Sequence, residues 1–288
     1  MVDYLLRKKL TPFLEEDLAL GDITTEMLIE PRTTEAEVIA REGGVIAGMA
    51  EARELLGMTG ITVLESVEDG QSVGEGDVVI RFRGINRSIL MVERTLLNII
   101  SRMSGIASIT SRYIEIAKGI SPDIRIAATR KTAPGLRWLD KKAVTIGGGD
   151  AHRIALHDSV LIKDNHIDAV GDVATAITRA RARASFVRKI EVEVSTAEDA
   201  VIAIEAGADV VMLDNMSVSE IEETMEVIEA RGDRKRVIIE ASGNVNMDSI
   251  GDIASTGVDV ISIGSLTHSV RALDLALSFS GSNRGCGE

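Results

Sequence analysis

From Ile124 to Gly264 the chain alternates short β-type runs with helix-length amphipathic segments, and this alternation restricts the fold more than any other feature. The runs are IRIAAT ending at Thr129, SVLIK ending at Lys163, KIEVEV ending near Glu193, DVVML leading to Asp214, RVIIEAS ending at Ser242 and VDVISIG ending at Gly264. Between most of them lie segments of helical length, among them DAVGDVATAITRARAR, TAEDAVIAIEAG and VSEIEETMEVIEA. Six runs of this kind suit strands covered on both faces, hence a parallel sheet, either left open or closed toward a barrel. The count falls short of a complete eight-stranded barrel.

The chemically capable residues fall at the ends of these runs. Arg130 and Lys131, Lys163, Glu193, Asp214, Ser242 and Gly264 each terminate or directly follow one. Taken singly, each is a polar strand end meeting solvent. Taken in order, basic residues sit at the first two runs, acids at the middle two and small residues at the last two. In parallel α/β folds that edge is where active sites are built.

Charge points the same way. The segment from Thr129 to His166 carries Arg130, Lys131, Arg137, Lys141, Lys142, Arg153 and Lys163 in a chain of net charge −13. Cations gathered against the overall sign are either neutralised by nearby acids or assembled for an anion. Arginine offers a planar fork for carboxylate or phosphate, and lysine a mobile point charge. Three glycines before Asp150 read as a loop into a helix that opens near Asp150, with His152 and Arg153 in its first turn, where free N–H groups favour anions. Glu193 and Asp214 suit Mg²⁺ or sugar hydroxyls. Ser242 to Val245 and Ile263 to Ser269 offer small residues through which backbone amides can approach a phosphate. Arg137, Lys141 and Lys142 are read as structural or interfacial.

Other classes are excluded by composition. With aromatics at 2% and an acidic balance, the chain lacks the basic face and stacking rings of a nucleic-acid binder. Its one cysteine, Cys286, lies in a polar tail, and the histidines His152, His157, His166 and His268 show no zinc spacing. No apolar run reaches the span of a bilayer and no signal peptide is evident, so a soluble, cytoplasmic protein is expected.

The N-terminal part reads as a mixed α/β unit. A helix is expected near Tyr4 to Glu16, a loop leading into a helix with a Ser/Thr-type cap at GDITT, and tight β corners at Gly70, Val73, Gly76 and Asp77. Helical spacing from Val92 to Gly119 suggests two helices meeting near Ser104 and Gly105, which sets the domain boundary. The expected division is 1–103, an N-terminal α/β sandwich domain; 104–270, an incomplete TIM-like barrel of about six parallel strands; and 271–288, a C-terminal helix and polar tail packing back on the first domain.

EDLALGDITT, ERTLLNIISRMSGIAS, the segment from Thr129 to His166, EVEV, DVVMLDNM, IIEASGN and ISIGSLTHS together resemble the quinolinate phosphoribosyltransferase family along nearly the whole chain. The resemblance implies phosphoribosyl transfer from phosphoribosyl pyrophosphate to quinolinate with loss of CO₂, giving nicotinate mononucleotide and pyrophosphate for NAD synthesis. It implies that Arg130, His152, Arg153 and Lys163 hold the two quinolinate carboxylates, with Thr129 beside them and Lys131 near the pyrophosphate. It implies Mg²⁺ as cofactor, with Glu193 and Asp214 serving it and the ribose. Ser242, Gly243, Asn244, Ile263, Gly264, Ser265 and His268 would cradle the 5′-phosphate. Lys131, Lys163, Glu193 and Asp214 are the catalytic candidates. A homodimer with shared sites is implied, Arg94 reaching in from the neighbouring subunit. One departure is Asn244, where the family commonly has a second glycine; asparagine tolerates left-handed backbone better than most residues. The rival readings are a related transferase acting on nicotinate or another ring, and a non-catalytic anion-binding homologue.

Overall fold

A computed structural model describes residues 3–279. The chain divides into two compact units, one of residues 1–108 and 270–288, the other of 109–269. The first begins with α1 (Asp3–Leu18) and α2 (Ile23–Leu28). The cap of α2 is Asp22, whose carboxylate accepts the Thr25 N–H at 3.0 Å, so the capping signal in GDITT is the aspartate rather than a hydroxyl. There follow β1 (Thr33–Ala40), β2 (Gly44–Val45), α3 (Met49–Met58), β3 (Thr62–Ser66), β4 (Ser72–Val73), β5 (Val78–Ile85) and α4 (Asn86–Ile120). The corners at Gly70 and Gly76 take positive φ, as their turns require. Buried Val38, Ile80 and Phe82 project from β1 and β5 into the core of this unit.

The break expected at Ser104 and Gly105 does not occur, because α4 runs through both as one helix of 35 residues. Gly105 marks a close approach instead: a Cβ there would lie 2.1 Å from the Arg271 carbonyl oxygen. Glycine in mid-helix forfeits up to about 1 kcal/mol of propensity, and here it makes room for a neighbouring backbone.

The second unit carries β6 (Arg125–Ala127), α5 (Arg137–Ile146), β7 (Val160–Ile162), α6 (Asp164–Val170), α7 (Val173–Arg183), β8 (Ile190–Val194), α8 (Ala197–Glu205), β9 (Val210–Asp214), α9 (Val218–Ala230), β10 (Ile238–Ser242), α10 (Ile250–Ser255), β11 (Val260–Ser262) and α11 (Ser265–His268). Its six strands pair in parallel in the order β6-β11-β10-β9-β8-β7, one for each apolar run of the sequence. Several of its helices start on a side-chain cap: Asp172 for α7, Thr196 for α8 and the Ser217–Glu220 capping box for α9. Alternate strand residues Val192, Val211, Leu213, Ile239, Ala241 and Ile261 are buried. The opposite parity carries Glu191 and Glu193, Met212 and Asp214, Glu240 and Ser242.

Two further expectations are corrected. The glycine run follows α5 and ends it; no helix opens at Asp150, and the chain from Asp150 to Ser159 is a loop apart from one parallel bridge between Asp150 and Ala127 at the edge of β6. The segment expected as a C-terminal helix instead begins with a strand, β12 (Leu275–Phe279), which pairs antiparallel with β1 in the sheet order β12-β1-β5-β3. Alternating Leu275, Leu277 and Phe279 carry the two-residue period of that strand. The rest of the tail, with Cys286, lies outside the described residues. Among the described residues no helix is long and apolar enough to cross a membrane.

Candidate active site

The carboxyl ends of the parallel strands surround a cavity of about 400 Å³. Thr129, Arg130, Lys131, His152, Arg153, Lys163, Glu193, Asp214, Ser242, Gly243 and Asn244 line it, so the basic, acidic and small groups of the sequence meet in one place. Strand register accounts for part of this: Ser242 pairs with Asp214 on one side and with Ser262 on the other. Of the remaining candidates, Gly264 lies beside the Lys131 side chain, and a Cβ on it would meet that chain at 3.2 Å. Ile263 is buried, its N–H bonded to Ala127 O, and it does not line the cavity. Ser265 and His268 belong to α11 and do not line it either. Arg94 stands exposed on α4 within the first unit.

Each wall is built differently. On the basic wall, Thr129 Oγ1 accepts the Lys131 N–H at 3.1 Å, and Thr267 Oγ1 donates to Lys131 O at 2.8 Å. Arg137 joins this loop to the one after α5 by donating to Thr132 Oγ1 at 3.0 Å and to Ile154 O at 3.3 Å. Arg130 Nε is buried without a partner, a donor left over at the cavity wall. Burial and the neighbouring Arg130 lower the pKa of Arg153. On the acidic wall Glu193 is ion-paired with Lys163, and Asp214 accepts from Asn215 Nδ2 at 2.8 Å. Both acids also face an adjoining cavity lined by Asp164, Asp168, Asp172 and Asp199. At the far side Gly243 has φ +99°, and a Cβ on it would meet Asn215 Oδ1 at 2.2 Å, so only glycine fits. Asn244 takes φ +43°, the conformation that asparagine tolerates.

The sequence puts Glu191 on the same strand face as Glu193 but farther from the active edge, and it gives no role to Glu240, which lines the cavity. His152 Nε2 lies 3.4 Å from Glu191 Oε1 and 3.4 Å from Glu240 Oε2, both on nearly inaccessible residues. The signal was available: each glutamate stands two residues before a strand-end candidate and therefore on the same face. Burial raises the pKa of Glu191. Burial works against the charged His152 ring, but hydrogen bonding to Glu191 and Glu240 outweighs it and carries its pKa up to about 10. Arg153 N–H is placed to donate to His152 Nδ1 at 2.8 Å, a contact that requires the neutral ring with its proton on Nε2; charging the ring, which the two acids favour, costs that contact. These three side chains have the spacing of a metal cluster, their ligand atoms lying within 4.8 Å of one another. Nε2, protonated whether or not the ring is charged, offers no lone pair to a metal and stands at ion-pair distance from both acids, and Glu191 Oε1 is buried without a hydrogen-bond partner. Glu193 and Asp214 are the hard oxygen donors that suit Mg²⁺ with water.

Residues 106–278 match the family described as quinolinate phosphoribosyl transferase, C-terminal domain, and residues 22–104 its N-terminal domain. The chain belongs to the quinolinate phosphoribosyltransferase family. It is 47% identical over 269 residues, 93% of its own length and 96% of the relative's, to a probable nicotinate-nucleotide pyrophosphorylase (carboxylating) of Methanothermobacter thermautotrophicus. It is 41% identical to the nicotinate-nucleotide pyrophosphorylase (carboxylating) of Mycobacterium leprae, covering 92% of this chain and 93% of that one. A solved nicotinate-nucleotide pyrophosphorylase from Francisella tularensis superposes with a TM-score of 0.90 at 38% identity, covering 97% and 98% of the two chains. The α/β architecture of the family, an antiparallel-sheet unit with a six-stranded parallel one, is thus that of this member.

Proposed function

We propose that this family member transfers the phosphoribosyl group of phosphoribosyl pyrophosphate to quinolinate with decarboxylation, forming nicotinate mononucleotide, pyrophosphate and CO₂ in NAD biosynthesis. The observation that carries this reading is one cavity in which Arg130, Lys131, Arg153 and Lys163 face Glu193 and Asp214, in a chain of net charge −13. A dicarboxylate and a polyphosphate are the anions that such a surplus of cations suits.

In the reaction the ring nitrogen of quinolinate bonds to C1 of the ribose as the bond to pyrophosphate breaks, and the sugar becomes cation-like. The bond from the ring to the 2-carboxylate then breaks as CO₂ leaves, the electron pair stays on the alkylated ring, and a proton takes that position. No covalent nucleophile is needed; rate comes from alignment and preorganised charge. Arg130, Arg153 and Lys163 grip the two carboxylates, with Thr129 beside them. His152 shares that task once its ring, engaged at both nitrogens, turns toward the substrate. Lys131 offsets charge on the departing pyrophosphate. Glu193 and Asp214 accept from the ribose hydroxyls and would hold Mg²⁺, which supplies charge neutralisation for the leaving pyrophosphate. Ser242, Gly243 and Asn244 receive the 5′-phosphate, with Gly264, Ser265 and His268 beyond them. Arg94 serves the site of a partner subunit in a homodimer, and the protein works in the cytoplasm.

Calorimetric titration with quinolinate and with nicotinate tests the carboxylate assignment. Arg153→Ala is expected to weaken quinolinate binding by about tenfold or more, the loss of a charge-assisted bidentate contact. Equal affinity for the two acids, unchanged in Arg153→Ala, would overturn it.

A further inference from the structure

We propose that Lys141, outside the cavity, is a positioning residue for the quinolinate site: its buried ammonium holds the two carbonyls that flank His152 and so sets the backbone of the His152–Arg153 pair. This rests on the reading of Arg153 as a carboxylate ligand. Lys141 lies on α5 with 2% of its surface exposed, and Nζ donates to Ala151 O and, at 2.8 Å, to Arg153 O.

A lysine placed there only to fill space would be costly, since an ion taken from water loses several kcal/mol that an apolar side chain of similar volume would not. What the ammonium adds is two charge-assisted bonds to a segment that has no helix or strand to shape it. That segment needs shaping. His152 has φ +51°, a conformation that costs a non-glycine residue about 1–2 kcal/mol and persists only when its surroundings impose it. Asp150 Oδ1 accepts the His152 N–H at 2.7 Å on one side, and Asp158 Oδ2 accepts the Ile154 and Ala155 N–H groups at 2.6 and 3.0 Å on the other. Those contacts hold the N–H groups around the pair, and Lys141 holds the carbonyls. With both peptide planes fixed, the Arg153 side chain leaves the backbone toward the cavity that it lines.

The test is steady-state kinetics of Lys141→Met and Lys141→Arg beside the wild type, with folding checked by circular dichroism. Lys141→Met is expected to raise KM for quinolinate about tenfold while KM for phosphoribosyl pyrophosphate stays within about twofold, and Lys141→Arg to recover much of the loss. A folded Lys141→Met with wild-type KM for quinolinate would overturn the proposal, as would an equal loss toward both substrates. Should Lys141→Met fail to fold, Lys141→Gln decides on the same KM comparison: a rise confined to quinolinate supports positioning, and wild-type KM for quinolinate or a loss common to both substrates overturns it. Arg153→Ala separates the two readings: if it leaves KM for quinolinate unchanged, the carboxylate assignment has failed, whatever Lys141 does.

Discussion

Lys141 and His152 show how far a residue's type alone can mislead. In the sequence Lys141 is one more cation of a basic stretch; in the structure it is buried under a loop, and burial, with help from Arg137, lowers its pKa to about 8. The unfolded chain would hold that proton up to its ordinary value of 10.5, so between about pH 8 and 10.5 the unfolded state binds more protons than the folded one. Stability of the wild type relative to Lys141→Met is therefore expected to rise across that window, by on the order of 3 kcal/mol. Urea melts of both proteins at pH 7.5 and 10.5, just below the window and at its upper end, check this, and a difference that falls with pH would contradict it. For His152 the sequence shows a histidine beside an arginine and a glycine run, and nothing in that string reveals Glu191 and Glu240 beneath it. Their contact depends on the loop after α5 meeting residues of β8 and β10, which lie far along the chain from His152. Asn244 was legible, because its tolerance of positive φ is a property of the residue itself.

At the scale of elements, the six parallel strands were readable because each is a short, largely apolar run whose residues, Arg125 apart, are buried or half-buried, and strand-end position placed Arg130, Lys163, Glu193, Asp214 and Ser242 at one mouth. In two of the places where reading failed, glycine was the cause. Gly105 looked like a helix break and is a packing notch in α4; the run before Asp150 looked like a helix entry and is a helix exit. Isolated glycines have several uses, and only a neighbouring backbone tells them apart. Gly105→Ala and Gly119→Ala lie on the same helix and make a matched pair. The first forces a Cβ against Arg271 O and should destabilise by about 2 kcal/mol or more. The second has open space around it and should gain up to about 1 kcal/mol. Thermal melts that rank the two in the opposite order would refute the notch.

For the whole molecule, an acidic chain gathers Arg130, Lys131, Arg153 and Lys163 at one cavity, while Ser265 and His268 do not line it and Arg94 stands in the other compact unit. The proposed homodimer brings that arginine to a neighbour's cavity. Mixtures of Arg94→Ala and Lys163→Ala, each inactive alone, are then expected to regain about a quarter of wild-type activity per site at equal mixing, as random subunit exchange leaves one intact shared site in half of the dimers. Absence of recovery with subunit exchange demonstrated would refute shared sites. The central claim is the decarboxylating transfer itself. It is tested most directly by incubating the purified protein with phosphoribosyl pyrophosphate, Mg²⁺ and quinolinate labelled in its 2-carboxylate, and collecting the gas. The account predicts labelled CO₂ released in step with nicotinate mononucleotide and pyrophosphate; turnover of nicotinate with quinolinate left intact would contradict it.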